Sequence, residues 1–232
     1  MERTLIILAD KPCAEYNNDM DKLKTAGLLD ILTEAGRLAE CEPEMSFVIY
    51  HNAEDKDDFL NSFYQALENA EFTISRYFRK YLEQRMVYKK QAKGNMQEVV
   101  YNAFTTEIND EDTDKVVLIN CSCPMLLGEL IDDAFYYIDY FHLTLGGTKN
   151  GGFYLLAADQ LSEDFFRGID WESQDTYKEI LAKAESMELS TKKLDILNTI
   201  ETKADMEMLY PKLCENRIAD NSRAIIKKIL NI

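Results

Sequence analysis

Lys115-Val-Val-Leu-Ile-Asn120-Cys121-Ser122-Cys123-Pro124, read with Asn150-Gly151-Gly152-Phe153-Tyr154-Leu155, decides the fold. A continuous apolar run that ends in a short polar loop and a proline is a strand buried on both faces, delivering its carboxyl end to a helix start. In α/β proteins that edge of the sheet is where ligands bind. The second stretch allows two readings. Asn-Gly is a strong hairpin signal, and paired glycines also let backbone approach a ligand closely.

The same alternation extends outward from this stretch. Thr4–Ala9, Ser46–His51, Met86–Lys90, Phe141–Leu145, Gly152–Ala158 and Lys193–Leu197 read as further strands, with Gly146-Gly147 as a break. Apolar residues at helical spacing predict helices over Asp21–Glu40, Asn95–Thr106, Leu126–Tyr140 (opened at Pro124), Gln174–Met187 and Thr202–Leu209. Lys56–Arg85 is amphipathic throughout, as one helix or two. Asn221-Ser222 is placed to cap a last helix within about 215–231. No repeat, low-complexity tract or linker divides the chain. The expectation is one domain over 1–232, an α/β fold with a three-layer α/β/α sandwich and a mostly parallel sheet, carrying a helical insertion at about 56–85.

Composition narrows the function. The 232 residues hold 26 Lys+Arg against 42 Asp+Glu, a net charge of −16. That balance, with no basic stripe apparent, speaks against nucleic acid as a partner. The apolar run near the N-terminus is too short for a signal peptide or a membrane span. Five scattered cysteines argue against a disulfide framework and for a cytoplasmic, reducing setting. Cys121 and Cys123 lack a second ligand pair for zinc, so buried thiols are the simpler reading.

Few residues stand out as chemical groups. There is no Gly-rich dinucleotide fingerprint, P-loop or nucleophile elbow. Lys11 follows the first strand and either faces a phosphate or is a solvated loop lysine. His51, at a strand end, reads as exposed. Trp171, the one tryptophan, either walls a pocket or packs in the core.

Several segments in order resemble one family, over roughly residues 4–210. Thr4–Pro12 is similar to its opening strand and Lys-x-Pro turn. Gln91–Glu98 with Ala103-Phe104 resembles a segment in which Gly-Asp-Leu precedes a helix, and Val116–Pro124 resembles a strand ending in Gly-Ser/Thr-Asp-x-Pro. Leu145–Leu155 is similar to a stretch carrying Asp-Gly-Gly, Phe166–Ser173 to a region with an Ile-x-Trp-Ser/Thr pattern, and Thr199–Asp205 to Asp-Ile-Asp-Thr. The family is the bacterial glycosyltransferase-like group of the nucleotide-diphospho-sugar transferase superfamily, with the GT-A-type fold.

The resemblance implies a transferase that uses a nucleotide or nucleotide-sugar. It places Lys11, Pro12, Gln91, Asn95, Asn150, Gly151, Gly152 and Trp171 around that ligand. It places Ser122, Asn150 and Glu201 around a cation, Mg or Mn, held weakly if at all. The acidic positions are altered here: Ser122, Asn150, Asn95 and Thr199 stand where the family has Asp, and Glu201 replaces another. Neutral oxygens hold a divalent ion poorly, and each lost electrostatic contact costs about 10²–10³-fold in rate. The implied activity is therefore a weakened glycosyl- or nucleotidyl-transferase. The alternative is an inactive relative that binds a ligand or a protein. The Tyr/Phe-rich stripe of Phe59–Tyr88 reads by default as core packing, and in the other reading as the interface of a homo-oligomer.

Overall fold

The computed structural model describes residues 2–12, 18–72, 74–110 and 113–232. One seven-stranded sheet runs through it, built from β1 (Arg3–Ala9), β2 (Ser46–His51), β3 (Val87–Lys90), β4 (Lys115–Asn120), β5 (Leu143–Gly147), β6 (Phe153–Ala158) and β7 (Thr191–Lys193). The spatial order is β3-β2-β1-β4-β6-β5-β7. Only β6 runs against its neighbours, pairing antiparallel with both β4 and β5.

Alternation along each strand separates the two faces. Leu5, Ile7, Phe47, Ile49, Val117 and Ile119 point into one core with helices α1 (Asp19–Cys41), α2 (Lys56–Asn69), α3 (Arg76–Gln84) and α5 (Gly128–Tyr137). Ile6, Leu8, Val48, Val116 and Leu118 point the other way, against α4 (Met96–Ile108), the short α6 (Glu163–Phe166) and α7 (Thr176–Ser186). With both faces covered, the central strands must be apolar at every position, hence the unbroken runs in the sequence. A third cluster packs α8 (Lys203–Asn216) and α9 (Asp220–Leu230) on the amino-terminal half of α1. No described helix is long and apolar enough to cross a membrane.

The 56–85 segment is two helices and forms the crossover between the parallel strands β2 and β3. Gly146-Gly147 does not break β5 but ends it: a Cβ on Gly146 would lie 2.3 Å from the Tyr154 ring, and one on Gly147 2.5 Å from that of Tyr177. The aromatic rings lie flat against the strand only because these positions are bare. The helix expected from Pro124 begins at Gly128 instead. The strand expected at Lys193–Leu197 lies earlier, at Thr191–Lys193. Pro211 does not stop α8, which continues to Asn216.

The last helix is also capped differently from the sequence expectation. Ala219, in the left-handed region, is its N-cap residue and supplies no side-chain oxygen. Asp30 of α1 does so from 191 residues away. Its carboxylate accepts from the backbone N–H groups of Asn221 (3.0 Å) and Ser222 (2.9 Å), and from Asn221 Nδ2 (2.8 Å). Burial pushes the Asp30 carboxyl up, and the hydrogen bonds from Ser222 and Asn221 pull it back. One turn further along α1, Glu34 accepts from Gly128 N at 3.2 Å at the start of α5, whose own N-cap residue is Leu127. One helix thus caps two others. Replacing Asp30 with Ala strands the buried N–H groups of α9 and is expected to lower stability by about 2 kcal/mol and Tm by about 4–8 °C. Thermal melting monitored by circular dichroism checks this, and an unchanged Tm contradicts the cap assignment.

Candidate functional site

A cleft of about 770 Å³ opens at the carboxyl ends of β1 and β4 and beside the β5–β6 turn. The amino-terminal part of α1, the Trp171–Thr176 segment and Thr199–Glu201 complete its walls. Of the residues singled out in the sequence, Lys11, Pro12, Gln91, Ser122, Asn150, Gly152, Trp171 and Glu201 line this one space. Asn95 and Gly151 do not. Asn95 closes a capping box with Glu98 at the start of α4, each side chain bonded to the other's backbone N–H at 3.1 Å. Gly151 serves the turn: its φ is +90°, and a Cβ there would lie 1.5 Å from the carbonyl oxygen of Gln174. The hairpin and the ligand-facing readings of this stretch are compatible, because the turn that reverses the chain also presents Thr148, Asn150 and Gly152 to the cleft.

Several polar groups of the cleft are bonded within the protein. Lys11 Nζ donates to Asp58 Oδ1 at 2.6 Å, and the Lys11 backbone N–H donates to Asn52 Oδ1 at 2.6 Å. Asn52 Nδ2 in turn holds Asp10 at 2.9 Å. The Lys11 ammonium and the Glu54 N–H keep the Asp58 carboxyl below its ordinary range. Gln91 Nε2 spans the carbonyls of Tyr50 (3.1 Å) and Ala9 (3.4 Å), bridging the ends of two strands. The basic character of Lys11 is therefore directed at Asp58. Lys24 on α1 is the other cleft-lining cation, and among the described residues it makes no ion pair.

At the end of β4, Asn120 ties β6 to the loop that follows β4. Its Nδ2 donates to the Phe153 carbonyl, and its Oδ1 accepts from the Ser122 N–H at 3.1 Å and the Ser122 hydroxyl at 2.5 Å. Across the cleft edge, Asn150 Oδ1 accepts from the Thr148 hydroxyl and, at 3.5 Å, from Gly152 N, while its Nδ2 donates to Glu201 Oε1. Thr199 Oγ1 approaches the same carboxylate oxygen at 3.5 Å. A carboxylate only accepts, so the atom that Asn150 turns toward Glu201 is its amide nitrogen.

This donor set does not fit a divalent cation. Mg²⁺ and Mn²⁺ require converging oxygen ligands, with carboxylates supplying the charge. Here Asn150 presents a hydrogen-bond donor, the Ser122 hydroxyl is turned to Asn120, and Glu201 is the only carboxylate of the three. Among the described residues, no group of three or more His, Cys, Asp or Glu side chains is arranged to hold a metal.

Other candidates resolve in the same way. Trp171 is 6% exposed, lies parallel to the Phe166 ring, meets Phe153 edge-on, and spends its indole N–H on the Phe166 carbonyl at 3.2 Å. It is at once core and cleft wall. His51 is buried rather than exposed, packed against Phe59 and Tyr88, and burial depresses its pKa. Burial pushes both the Cys121 and Cys123 thiols up to about 12. Neither is a nucleophile or thiolate ligand near neutrality. The roles of Asn120, Thr148 and Asn52 went unmarked in the sequence, because single amides and hydroxyls in loops carry no spacing signal.

Residues 57–173, just over half of the chain, match the model of a family described as an uncharacterized protein conserved in bacteria (DUF2064), and the chain belongs to that family. Among solved structures, a candidate nucleotide-diphospho-sugar transferase from Desulfovibrio desulfuricans G20 superposes with a TM-score of 0.75 at 20% identity, covering 97% of this chain and 94% of that one. The 4-diphosphocytidyl-2C-methyl-D-erythritol synthase of Anaerococcus prevotii DSM 20548 matches with a TM-score of 0.53 at 12% identity, covering 91% and 98%. A homologue of Mycobacterium tuberculosis rv0371c, from Mycobacterium sp. strain JC1, matches at 0.51 and 14%, covering 92% and 98%. No curated protein matches the sequence. The fold is therefore that of the nucleotide-diphospho-sugar transferases, as the resemblance implied.

The thiol assignment is directly measurable. At pH 8, iodoacetamide followed by peptide mass mapping is expected to modify the exposed Cys41 and Cys214 and to leave Cys121 and Cys123 unmodified until the protein is denatured. Equal labelling of all four in the native protein contradicts the protonated state of Cys121 and Cys123.

Proposed function

We propose that this chain is a small-molecule-binding relative of the nucleotide-sugar and nucleotidyl transferases. Its cleft receives a nucleotide-type ligand without cation-assisted group transfer. The observation that carries this reading is the Asn150–Glu201 hydrogen bond. It fills, with an amide and a carboxylate, the place from which the family resemblance would have the chain hold a metal. A diphosphate leaving group needs compensating positive charge in the transition state. The cleft offers Lys24 and a Lys11 already committed to Asp58, against Asp10, Asp21, Glu172 and Glu201. Binding requires less of the site than transfer does, and the cleft's position at the strand carboxyl ends supports it.

A second reading keeps the activity. The cleft is retained on a transferase fold, and a ligand that brings its own cation would supply the missing charge. The two readings predict different cation dependence. Trp171, the chain's one tryptophan, lines the cleft and reports its occupancy. Its fluorescence is to be titrated with UDP-, GDP- and CDP-linked sugars and the corresponding mononucleotides, in EDTA and in Mg²⁺ or Mn²⁺. Nucleotide release from the donors is followed in parallel. We expect saturable quenching by at least one ligand, unchanged by EDTA, with no turnover. Binding that appears only with the cation, accompanied by turnover, establishes the active-enzyme reading instead. No response to any ligand from a folded protein removes both.

A further inference from the structure

The net charge of −16 conceals a basic face. Between residues 76 and 93 the chain carries Arg76, Arg79, Lys80, Arg85, Lys89, Lys90 and Lys93 against one carboxylate, Glu83. The sequence expectation of no basic stripe is corrected here, because the whole-chain balance averages this segment away. We propose that the exposed face of α3, continued along the open edge of β3, is a docking surface for an acidic segment of a partner protein.

Three features of the fold lead to this surface. α3 buries Tyr81 and Leu82 and half-buries Phe78, so Arg76, Tyr77, Arg79, Lys80 and Glu83 share its outward side. Arg76, Arg79 and Lys80 lie three and four residues apart and repel one another. They also occupy the amino-terminal turns, where the helix dipole disfavours positive charge. Each of the other described helices carries an acidic residue in its first turn, and α3 carries none. Beyond the contact of Arg79 with the Tyr64 ring, the helix gains nothing from clustering these charges at its amino terminus, whereas an incoming anion would relieve their repulsion.

Internal carboxylates pair with two of these seven charges. Lys89 is turned inward to the buried Glu107 at 2.7 Å, and Lys90 makes an exposed pair with Glu54 at 3.3 Å. Arg79 lies over the Tyr64 ring at 4.1 Å, and Arg85 donates to the Pro43 carbonyl at 3.1 Å, contacts that leave both charges uncompensated. Arg76, Lys80 and Lys93 make no ion pair among the described residues. The acidic groups that border the face are Glu83, bonded to Tyr64 Oη at 3.2 Å, and Glu40, bonded to Tyr77.

Apolar and backbone contacts are available beside the charges. β3 is an edge strand of the sheet and, among the described residues, pairs only with β2, so its outer backbone groups are open to a further strand. Val87, 48% exposed, projects at this edge, and Tyr77, 66% exposed, projects from α3. Tyr and Arg are the side chains that most often anchor protein interfaces. An extended segment alternating carboxylates with small apolar residues satisfies both the edge and the cations. A nucleic acid fits less well. α3 is only about 14 Å long, and a longer polyanion would leave the basic face within about one Debye length and meet the acidic remainder of the surface.

The test uses the full-length protein and a fluorescein-labelled peptide of alternating Glu and Val with Asp at both ends, followed by fluorescence anisotropy. We expect saturable binding at low salt that weakens by about tenfold or more at high salt. Binding should be lost in the triple variant Arg76→Glu, Arg79→Glu, Lys80→Glu, and reduced in Val87→Glu. Three carboxylates repel one another as three cations do and add repulsion with Glu83, so folding of the triple variant is confirmed by its melting curve, and the neutralised protein Arg76→Gln, Arg79→Gln, Lys80→Gln, measured beside it, is expected to lose binding as well. Undiminished peptide binding by a folded triple variant overturns the proposal. Tighter binding to single-stranded RNA or to phosphatidylserine vesicles than to the peptide overturns it as well. So does a dimer of the protein alone, in sedimentation, that the same reversals dissociate.

Discussion

The five-residue turn from Thr148 to Gly152 is the constraint on which the site depends. It reverses the chain so that β6 enters the sheet between β4 and β5 as its one antiparallel strand. Only then do the end of β4 and the start of β6 share one edge, within reach of the Asn120 side chain. The turn works because Gly151 takes a φ of +90° with the Gln174 carbonyl where a Cβ would stand. Its carbonyl is in turn held by the Tyr177 N–H at 2.9 Å, which fixes α7 to the same corner. Glycine takes that φ without steric cost, and the contacts with Gln174 and Tyr177 hold it there.

From that corner the polar groups of the cleft pair off. Asn150 with Glu201, Asn120 with Ser122, Lys11 with Asp58 and Gln91 with two strand-end carbonyls leave little charge directed at a ligand. Each pair also ties two elements of the fold together. Asn150 and Glu201 join the β5–β6 turn to the segment before α8. Lys11 and Asp58 join the end of β1 to the start of α2. These side chains thereby hold the walls of the cleft to one another. The same economy appears in α1, where Asp30 and Glu34 cap α9 and α5 at a distance.

The layered fold was legible in the sequence because burial on both faces leaves continuous apolar runs such as Val116–Ile119, and because Asn-Gly marks the reversal after β5. The ends of elements were less legible where tertiary contacts override local rules. Gly146-Gly147 reads as a break, yet the Tyr154 and Tyr177 rings need those bare positions within the strand. Asn221-Ser222 reads as a cap, yet the capping oxygen comes from Asp30. Most of the expected cleft residues do converge. Their pairing was invisible, since Glu201 and Asn150 lie 51 residues apart and nothing local distinguishes a bonded amide from a free one. The basic face of α3 was hidden for a simpler reason, because a net charge records no position.

The central claim is that the amide of Asn150, and no cation, faces Glu201. Electron paramagnetic resonance of Mn²⁺ titrated with the protein tests it most directly, since the free ion's signal falls as it binds. The account predicts an undiminished Mn²⁺ signal with the native chain, and a falling signal with the Asn150→Asp variant, which exchanges the amide donor for a second carboxylate beside Glu201. Stoichiometric loss of the signal with the native chain, abolished by Glu201→Gln, would contradict it.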